Sequence, residues 1–297
     1  MNPQPGIFAT GDAEHCYVEL DRQPGAGAHE LARALAGLFA KNTPLVRVSC
    51  VAGMRPELWA EAVPTAAHPG ARSFEEVAGR ELTLPATQHD AWLWVAGSHR
   101  DAVFDNTLRV VDTLAAVASP ASELTGWVHL LNRDLTGFID GTENPTGAKA
   151  LHVACLADGP AAGSSVLLFQ KWIHLSSWRS LSVEQQELVI GRRKADSQEL
   201  SQEVMPKDSH VARNVVEEEG EQLEIFRRNT AWGGPTEHGT VFVGFSAELH
   251  RLQVMLERMV GLPDGVRDAL SRYTVALSGA YYVIPSLDSL AALAPGG

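Results

Sequence analysis

A carboxylate, an imidazole and a guanidinium stand out in this chain because each sits in a short segment of distinctive composition. Asp140 lies between two glycines in GFIDGTENP, Gly137 to Pro145. His210 lies in DSHVARN, Asp208 to Asn214, and Arg227 in LEIFRRN, Leu223 to Asn229. His210 follows Asp140 by 70 residues, and Arg227 follows His210 by 17. A carboxylate with an ordinary pKa of ~3.9 is a usable base at mildly acidic pH. A neutral imidazole can bind a metal, and a permanently charged guanidinium can stabilise negative charge as it develops. Each has an ordinary competitor. Asp-Gly is a common tight-turn dipeptide and Asn144 before Pro145 favours extended backbone, so Asp140 could simply serve its own turn. His210 is one of eleven histidines, and its type alone does not single it out.

Taken together, in this order and at these spacings, the three segments resemble the dye-decolorizing haem peroxidases, most closely their cytoplasmic type B branch. The resemblance extends to GRRKADSQEL, Gly191 to Leu200, and to GAYYVIPSL, Gly279 to Leu287, and so covers nearly the whole chain. It implies two ferredoxin-like halves whose sheets pack together, with haem b held mainly by the second half. It implies that His210 ligates the iron from one side, while Asp140 and Arg227 flank the peroxide-binding face on the other. Hydrogen peroxide would oxidise small organic reductants such as dyes, phenolics or porphyrin precursors through a ferryl intermediate. Homo-oligomers, dimers or larger rings, are common among such relatives.

Around those three positions the expectations are local. Asn229 shares a strand face with Arg227, whereas Arg228 points to the other face and reads as a surface arginine. Gly141, Thr142 and Glu143 pass near the porphyrin edge, Gly141 letting the backbone approach. Phe242, Phe245 and Leu256 are apolar candidates for the pocket, but Phe242 and Phe245 are three apart, so only one of the two faces it on a regular strand. The second ring nitrogen of His210 needs a carboxylate or carbonyl acceptor, which the sequence does not name.

These residues need a scaffold, and each half reads as a similar series of elements. In the first, strands at 15–20, 45–51 and 91–96 alternate with a helix burying Leu31, Leu35, Leu38 and Phe39, and with another burying Phe104, Leu108, Val111 and Ala115. In the second, strands at 164–175, 222–228, 240–245 and 280–284 alternate with two helices. One is started by the Ser182/Gln185 capping box and ended at Gly191; the other is capped by Ser246 and presents Leu249, Leu252, Leu256 and Met259. The pattern predicts a duplicated α+β fold of antiparallel sheets with helices on one face. It divides into an N-terminal half at 1–135, a linking segment at 136–162 that carries Asp140, and a C-terminal half at 163–297.

Composition bounds the alternatives. With 297 residues, 45% hydrophobic and 20% charged, the chain can bury a large core and enclose a cofactor. A net charge of −12 argues against nucleic acid and anionic membrane surfaces. Arg192, Arg193 and Lys194 read as a solvated helix end, and 217–221 as a solvated acidic turn. No apolar run approaches the ~18 residues of a membrane span and no leader pattern is visible, so a cytoplasmic location is expected. Cys16, Cys50 and Cys155 form no CxxC and read as small core residues. His29-Glu30 lacks the second histidine of a zinc-protease helix, and Gly25-Ala-Gly27 lacks the third glycine of a dinucleotide loop. The tail SLDSLAALAPGG raises the idea of cargo for a protein-shell compartment, but it lacks a polar spacer and reads as a frayed end. A non-enzymatic haem carrier or iron-release protein is the remaining alternative; Asp140 paired with Arg227 argues against it, since a carrier gains nothing from an acid-base pair.

Overall fold

The computed structural model describes residues 1–40 and 45–293. In the first half, β1 (Glu14–Arg22) is followed by α1 (Ala28–Gly37), β2 (Val48–Met54), α2 (Pro56–Ala62), β3 (Ala91–Gly97), α3 (Arg100–Leu114) and β4 (Ala118–Trp127). After α4 (Gly147–Ala154), the second half runs through β5 (Ser165–His174), α5 (Val183–Ile190), α6 (His210–Asn214), β6 (Phe226–Arg227), β7 (Thr230–Gly233) and β8 (His238–Ser246). It ends with α7 (Leu249–Val260), β9 (Thr274–Ala276), β10 (Ala280–Ile284) and α8 (Leu287–Ala291). β6 and β7 keep one register against β8, Phe226 opposite Phe245 and Thr230 opposite Val241. The Arg228 N–H donates to the Val243 carbonyl at 2.8 Å between them, so the two act as one strand.

All pairings are antiparallel, and the halves match. The spatial order is β4-β1-β3-β2 in the first and β7-β8-β5-β10 in the second, each the fourth-first-third-second arrangement of a ferredoxin-like unit when its ends are aligned. The sheets meet edge to edge as well as face to face. β7 pairs with β4 at Ala231–Trp127 and Trp232–Gly126, and β10 pairs with β2 at Val283–Met54. The ring therefore closes into a barrel, which removes free sheet edges there.

Strand alternation sorts the side chains. Tyr17, Trp92, Trp94, Phe169, Phe245 and Tyr282 fill the barrel interior, stacked or tilted against one another with ring centroids 5.6–6.3 Å apart. Outside the first half, Cys16, Val18, Leu20, Leu93 and Val95 pack against Leu31 and Leu35 of α1 and Val110 and Leu114 of α3. Outside the second half, Leu168 and Trp172 face Leu252 and Leu256 of α7, but the closure there is incomplete.

Three expectations change. α3 buries Val103, Asn106, Thr107, Val110 and Leu114, while Phe104 and Leu108 are 65% and 51% exposed. The helix carries two apolar stripes one residue apart, and periodicity cannot say which meets the sheet. The strand expected at 222–228 begins at Phe226 and runs on to Gly233, its start masked by the acidic hairpin that precedes it. The tail is not frayed over its described part: Ser286 accepts from the Ser289 N–H at 3.1 Å, capping α8, and Leu290 is buried. The last four residues of that tail lie outside the described residues.

Candidate active site

A cavity of about 400 Å³ lies between the outer face of the second-half sheet, α7, and the irregular segment that joins the halves. Leu168, Gln170, Trp172 and His174 of β5 and Thr240 and Phe242 of β8 form its sheet wall, as strand alternation requires. His210, Asp140, Arg227 and Asn229 all line it.

His210 opens the short helix α6, whose N-cap Ser209 accepts from the Ala212 N–H at 3.3 Å. Its Nδ1 lies 2.6 Å from Oδ2 of Asp268, which is fully buried. The other oxygen of Asp268 accepts from the Leu270 N–H at 2.8 Å, so this carboxylate is fixed by its own backbone turn. Bound at Nδ1, the imidazole is oriented and leaves Nε2 for a ligand bond. Asp268 is the acceptor that the sequence left unnamed; it stands 58 residues further on, in no motif that marks it.

Across the cavity, Asp140 is held by the joining segment. Its N–H donates to the Asn132 carbonyl at 2.8 Å, and Asn132 Nδ2 donates back to the Asp140 carbonyl at 2.8 Å. Leu130, Leu131 and Asn132 adopt positive φ, as does Gly141 at +71°, so the segment folds tightly around the carboxylate. Asn229 donates from Nδ2 to Asp140 Oδ1 at 2.9 Å and from its N–H to Oδ2 at 3.3 Å. Arg227 Nε lies 3.6 Å from Asp140 Oδ1. Asn144 clamps the Arg227 backbone, accepting from its N–H at 3.0 Å and donating to its carbonyl at 2.6 Å. Residues 140 to 144 thus position both the carboxylate and the guanidinium.

Neighbouring residues fall on both sides of the expectations. Thr142 and Glu143 line the cavity, whereas Gly141 serves the turn and is not part of the wall. Phe242 faces the cavity, as does Leu256. Phe245 does not; it points into the barrel and stacks on Trp94 at 6.3 Å, because it has the opposite parity on β8. Arg228 is not a surface arginine. Its guanidinium sits 5.1 Å over the Trp94 ring and donates to the Ala9 carbonyl, and burial lowers its pKa. Arg192 is not a solvated helix end either. It is 8% exposed, lines the cavity, and donates to Thr142 Oγ1 at 2.9 Å and Glu199 Oε1 at 2.6 Å.

Three polar features of the wall had no sequence signal. The Gln170 Nε2 and His174 Nδ1 atoms are buried without a partner, and burial lowers the His174 pKa to about 4. Asp134 also lines the cavity, and burial, then the charge of Asp140, raises its pKa against the opposing hydrogen bonds from Thr136. No helix among the described residues is long and apolar enough to cross a membrane.

A two-sided cavity of this kind, with an oriented imidazole on one wall and a carboxylate-guanidinium-amide set on another, is that of an enzyme with a large enclosed cofactor. The family model "Dyp-type peroxidase, C-terminal" matches residues 131–289. A dye-decolorizing peroxidase of Mycolicibacterium paratuberculosis is 33% identical over 301 residues, covering 98% of this chain and 85% of its own. One of Mycobacterium tuberculosis is 34% identical over 305 residues, covering 98% and 90%. Among solved structures, a Dyp-type peroxidase protein of Shewanella oneidensis superimposes with a TM-score of 0.91 at 27% identity, with 98% of each chain covered. A variant of Rhodococcus jostii DypB in complex with heme gives 0.90 at 28% identity, again with 98% of each covered. The chain belongs to the dye-decolorizing peroxidase family, and its activity is that of a peroxidase.

Proposed function

We propose that this peroxidase holds haem b in the 400 Å³ cavity through His210 and uses hydrogen peroxide to oxidise small organic reductants, as a member of the type B branch. The observation that carries the reading is that His210, locked by Asp268, faces the same cavity as Asp140, Arg227 and Asn229. The residues present fit the group. The cavity is within the ~300–1,000 Å³ range of cofactor sites, and Leu168, Phe242, Leu252 and Leu256 give it apolar walls. His210 has a free Nε2 to ligate iron, and Arg192 would hold a carboxylate side arm. Gln170 Nε2 and His174 Nδ1 are buried polar atoms that gain from a polar occupant. The structure of the Rhodococcus DypB variant in complex with heme supports the same cofactor.

When bound, haem supplies the two-electron chemistry that reduces peroxide and oxidises the reductant. Asp140 accepts the proton of hydrogen peroxide and returns it to the departing oxygen. Asn229 fixes the carboxylate through two hydrogen bonds, so the acceptor stays in place while its charge changes. Arg227, 3.6 Å from the same carboxylate, offsets negative charge on the departing oxygen and contributes at least as much as Asp140. The carrier alternative has no use for this set. The division at 1–135, 136–162 and 163–297 follows from the same reading, with the middle segment supplying Asp140. A cytoplasmic, homo-oligomeric protein is in keeping with three buried free cysteines and with the exposed Phe104 and Leu108 one helical turn apart.

Mixing haem-loaded protein with hydrogen peroxide in a stopped-flow spectrometer tests the reading. Rapid change of the haem spectrum, slowed in Asp140→Ala and Arg227→Ala, with haem lost in His210→Ala, is the expected result. A stable haem complex indifferent to peroxide would refute the assigned roles.

A further inference from the structure

Beside Asp140 lies a second, much smaller cavity of about 10 Å³, lined by Asp140, Asp134 and Asn229 together with other residues of the 127–134 stretch and Thr230 and Ala231 of β7. That is the size of one water molecule, for which ~10–15 Å³ is needed. It is also polar enough to keep one. Asn229 spends its Nδ2 on Asp140 Oδ1 at 2.9 Å, which leaves Oδ1 as an acceptor that is buried and has no partner. A water there would donate to Asn229 Oδ1 and to one carboxylate, and would accept the O–H of the other carboxylate when that one is protonated. Asp134 contributes a fixed group: its Oδ1 accepts from both the N–H of Thr136, at 2.8 Å, and the Thr136 hydroxyl.

We propose that Asp134 is a positioning residue for the peroxide proton: it and Asp140, through a single water in this cavity, share the one proton that peroxide gives up. The inference rests on the roles given to Asp140 and haem above. Two like charges facing one small space cannot both stay ionised as pH falls, and their environments decide which is protonated first. Arg227 Nε lies 3.6 Å from Asp140 Oδ1, and the Asp140 charge acts on Arg228. The Asp134 charge raises the Lys194 pKa against burial, so a cation acts on this carboxylate too. Arg133 beside it turns its guanidinium to the Gly137 and Lys194 carbonyls at 2.7 and 3.0 Å, and Lys194 donates to Gln186. His129 lines the small cavity, and His210 acts on Asp134 only from the far wall. Burial, and the Asp140 charge with it, raises the Asp134 pKa, in keeping with a proton held there. The proton balance is closed: peroxide gives one proton to Asp140, the water passes one on to Asp134, and the same proton returns when the departing oxygen leaves as water.

The test is the pH dependence of cyanide affinity in haem-loaded protein, an equilibrium rather than an activity. Hydrogen cyanide binds iron as the anion, so its proton must be left on the protein. With both carboxylates ionised, the pair is the stronger acceptor, and Asp134→Asn is expected to weaken binding about tenfold at neutral pH, for a coupling of about one pKa unit, with no difference at low pH. The wild-type profile has a step that Asp134→Asn lacks. Thr136→Val, which removes a hydrogen bond to the ionised carboxylate, moves that step to higher pH. A high-resolution structure of the haem complex shows the water between the two carboxylates. If Asp134→Asn and Thr136→Val both keep the wild-type profile, or if the cavity is dry, the inference is wrong. Asp140→Asn separates the levels: a profile unaffected by that change overturns the role of Asp140 itself, whereas an effect of Asp140→Asn without any of Asp134→Asn overturns only the shared proton.

Discussion

The two halves use one sheet topology for opposite ends. On the outer face of the first half, β1 presents Cys16, Val18 and Leu20, β3 presents Leu93 and Val95, and α1 and α3 lie directly on them. On the outer face of the second half, the corresponding first strand, β5, presents Leu168, Gln170, Trp172 and His174, and the corresponding third strand, β8, presents Thr240 and Phe242. Only the α7 side is packed in the manner of the first half. Elsewhere the helix layer is replaced by the joining segment, α6 and the stretch that carries Arg192, and the space between is the cavity. A ferredoxin-like unit does not itself specify a site; leaving a sheet face partly uncovered and lining it with polar residues does.

The comparison predicts that substitutions on the second-half face change chemistry with little loss of stability, and that those on the first-half face do the reverse. The largest effect is expected from Arg227→Ala, which removes the cation beside Asp140. The rate of reaction with peroxide should fall by about 10²–10³-fold while the unfolding midpoint in urea hardly moves. A rate within a factor of two of wild type in stopped-flow absorption would mean that the guanidinium is structural.

The converse is Leu93→Ala in β3, 1% exposed between the barrel and α1. Truncating it should cost about 2–5 kcal/mol in urea unfolding through lost burial and the cavity left behind. The surviving folded protein should keep wild-type reaction with peroxide. A slowed reaction at full haem loading would show that the halves are mechanically coupled through the barrel, and the division of labour would fail.

Between these lies Asp268→Asn, which keeps the shape of the side chain but removes its charge behind His210. Loss of such a partner typically costs about 10–100-fold in metal affinity or activity. Haem retention, followed by transfer to a competing haem acceptor, should fall accordingly, and the urea midpoint should change much less. Unaltered retention would mean that the 2.6 Å contact merely neutralises a buried carboxylate.

How much of this was legible in the chain depended on whether the information was contiguous. Asp140, His210 and Arg227 each lie in a segment with recognisable neighbours, and the parity of a strand correctly placed Arg227 and Asn229 on one face with Arg228 on the other. What that other face meets was not legible, because Trp94 and Ala9 reach Arg228 only when the barrel closes. Asp268 escaped for the same reason, since only folding brings it to His210; Asp134 lies six residues before Asp140 in the same segment, but nothing in its type or spacing marks it. α3 failed differently. Its sequence offers two apolar stripes, and only the sheet decides that Val103 and Val110, not Phe104 and Leu108, are inside.

The smallest effect is also the one that separates the two faces most cleanly. Gln170 is 2% exposed on β5, and its Nε2 has no partner. A core designed only for stability would not keep such an atom, since a buried unsatisfied donor costs about 1–3 kcal/mol. On the sealed face of the first half, the hydroxyl of Thr107 is also buried without a partner, but no amide is, among the described residues. If Gln170 is held for the occupant of the cavity, Gln170→Leu should stabilise the haem-free protein by about 1 kcal/mol, read as a higher urea midpoint. It should also weaken haem retention, so that the two proteins differ in opposite directions with and without haem. Stabilisation in both forms would instead mark Gln170 as a tolerated defect in the wall, and loss of stability in both would mean that its carbonyl, 3.3 Å from Trp172 Nε1, outweighs the unpaired amide.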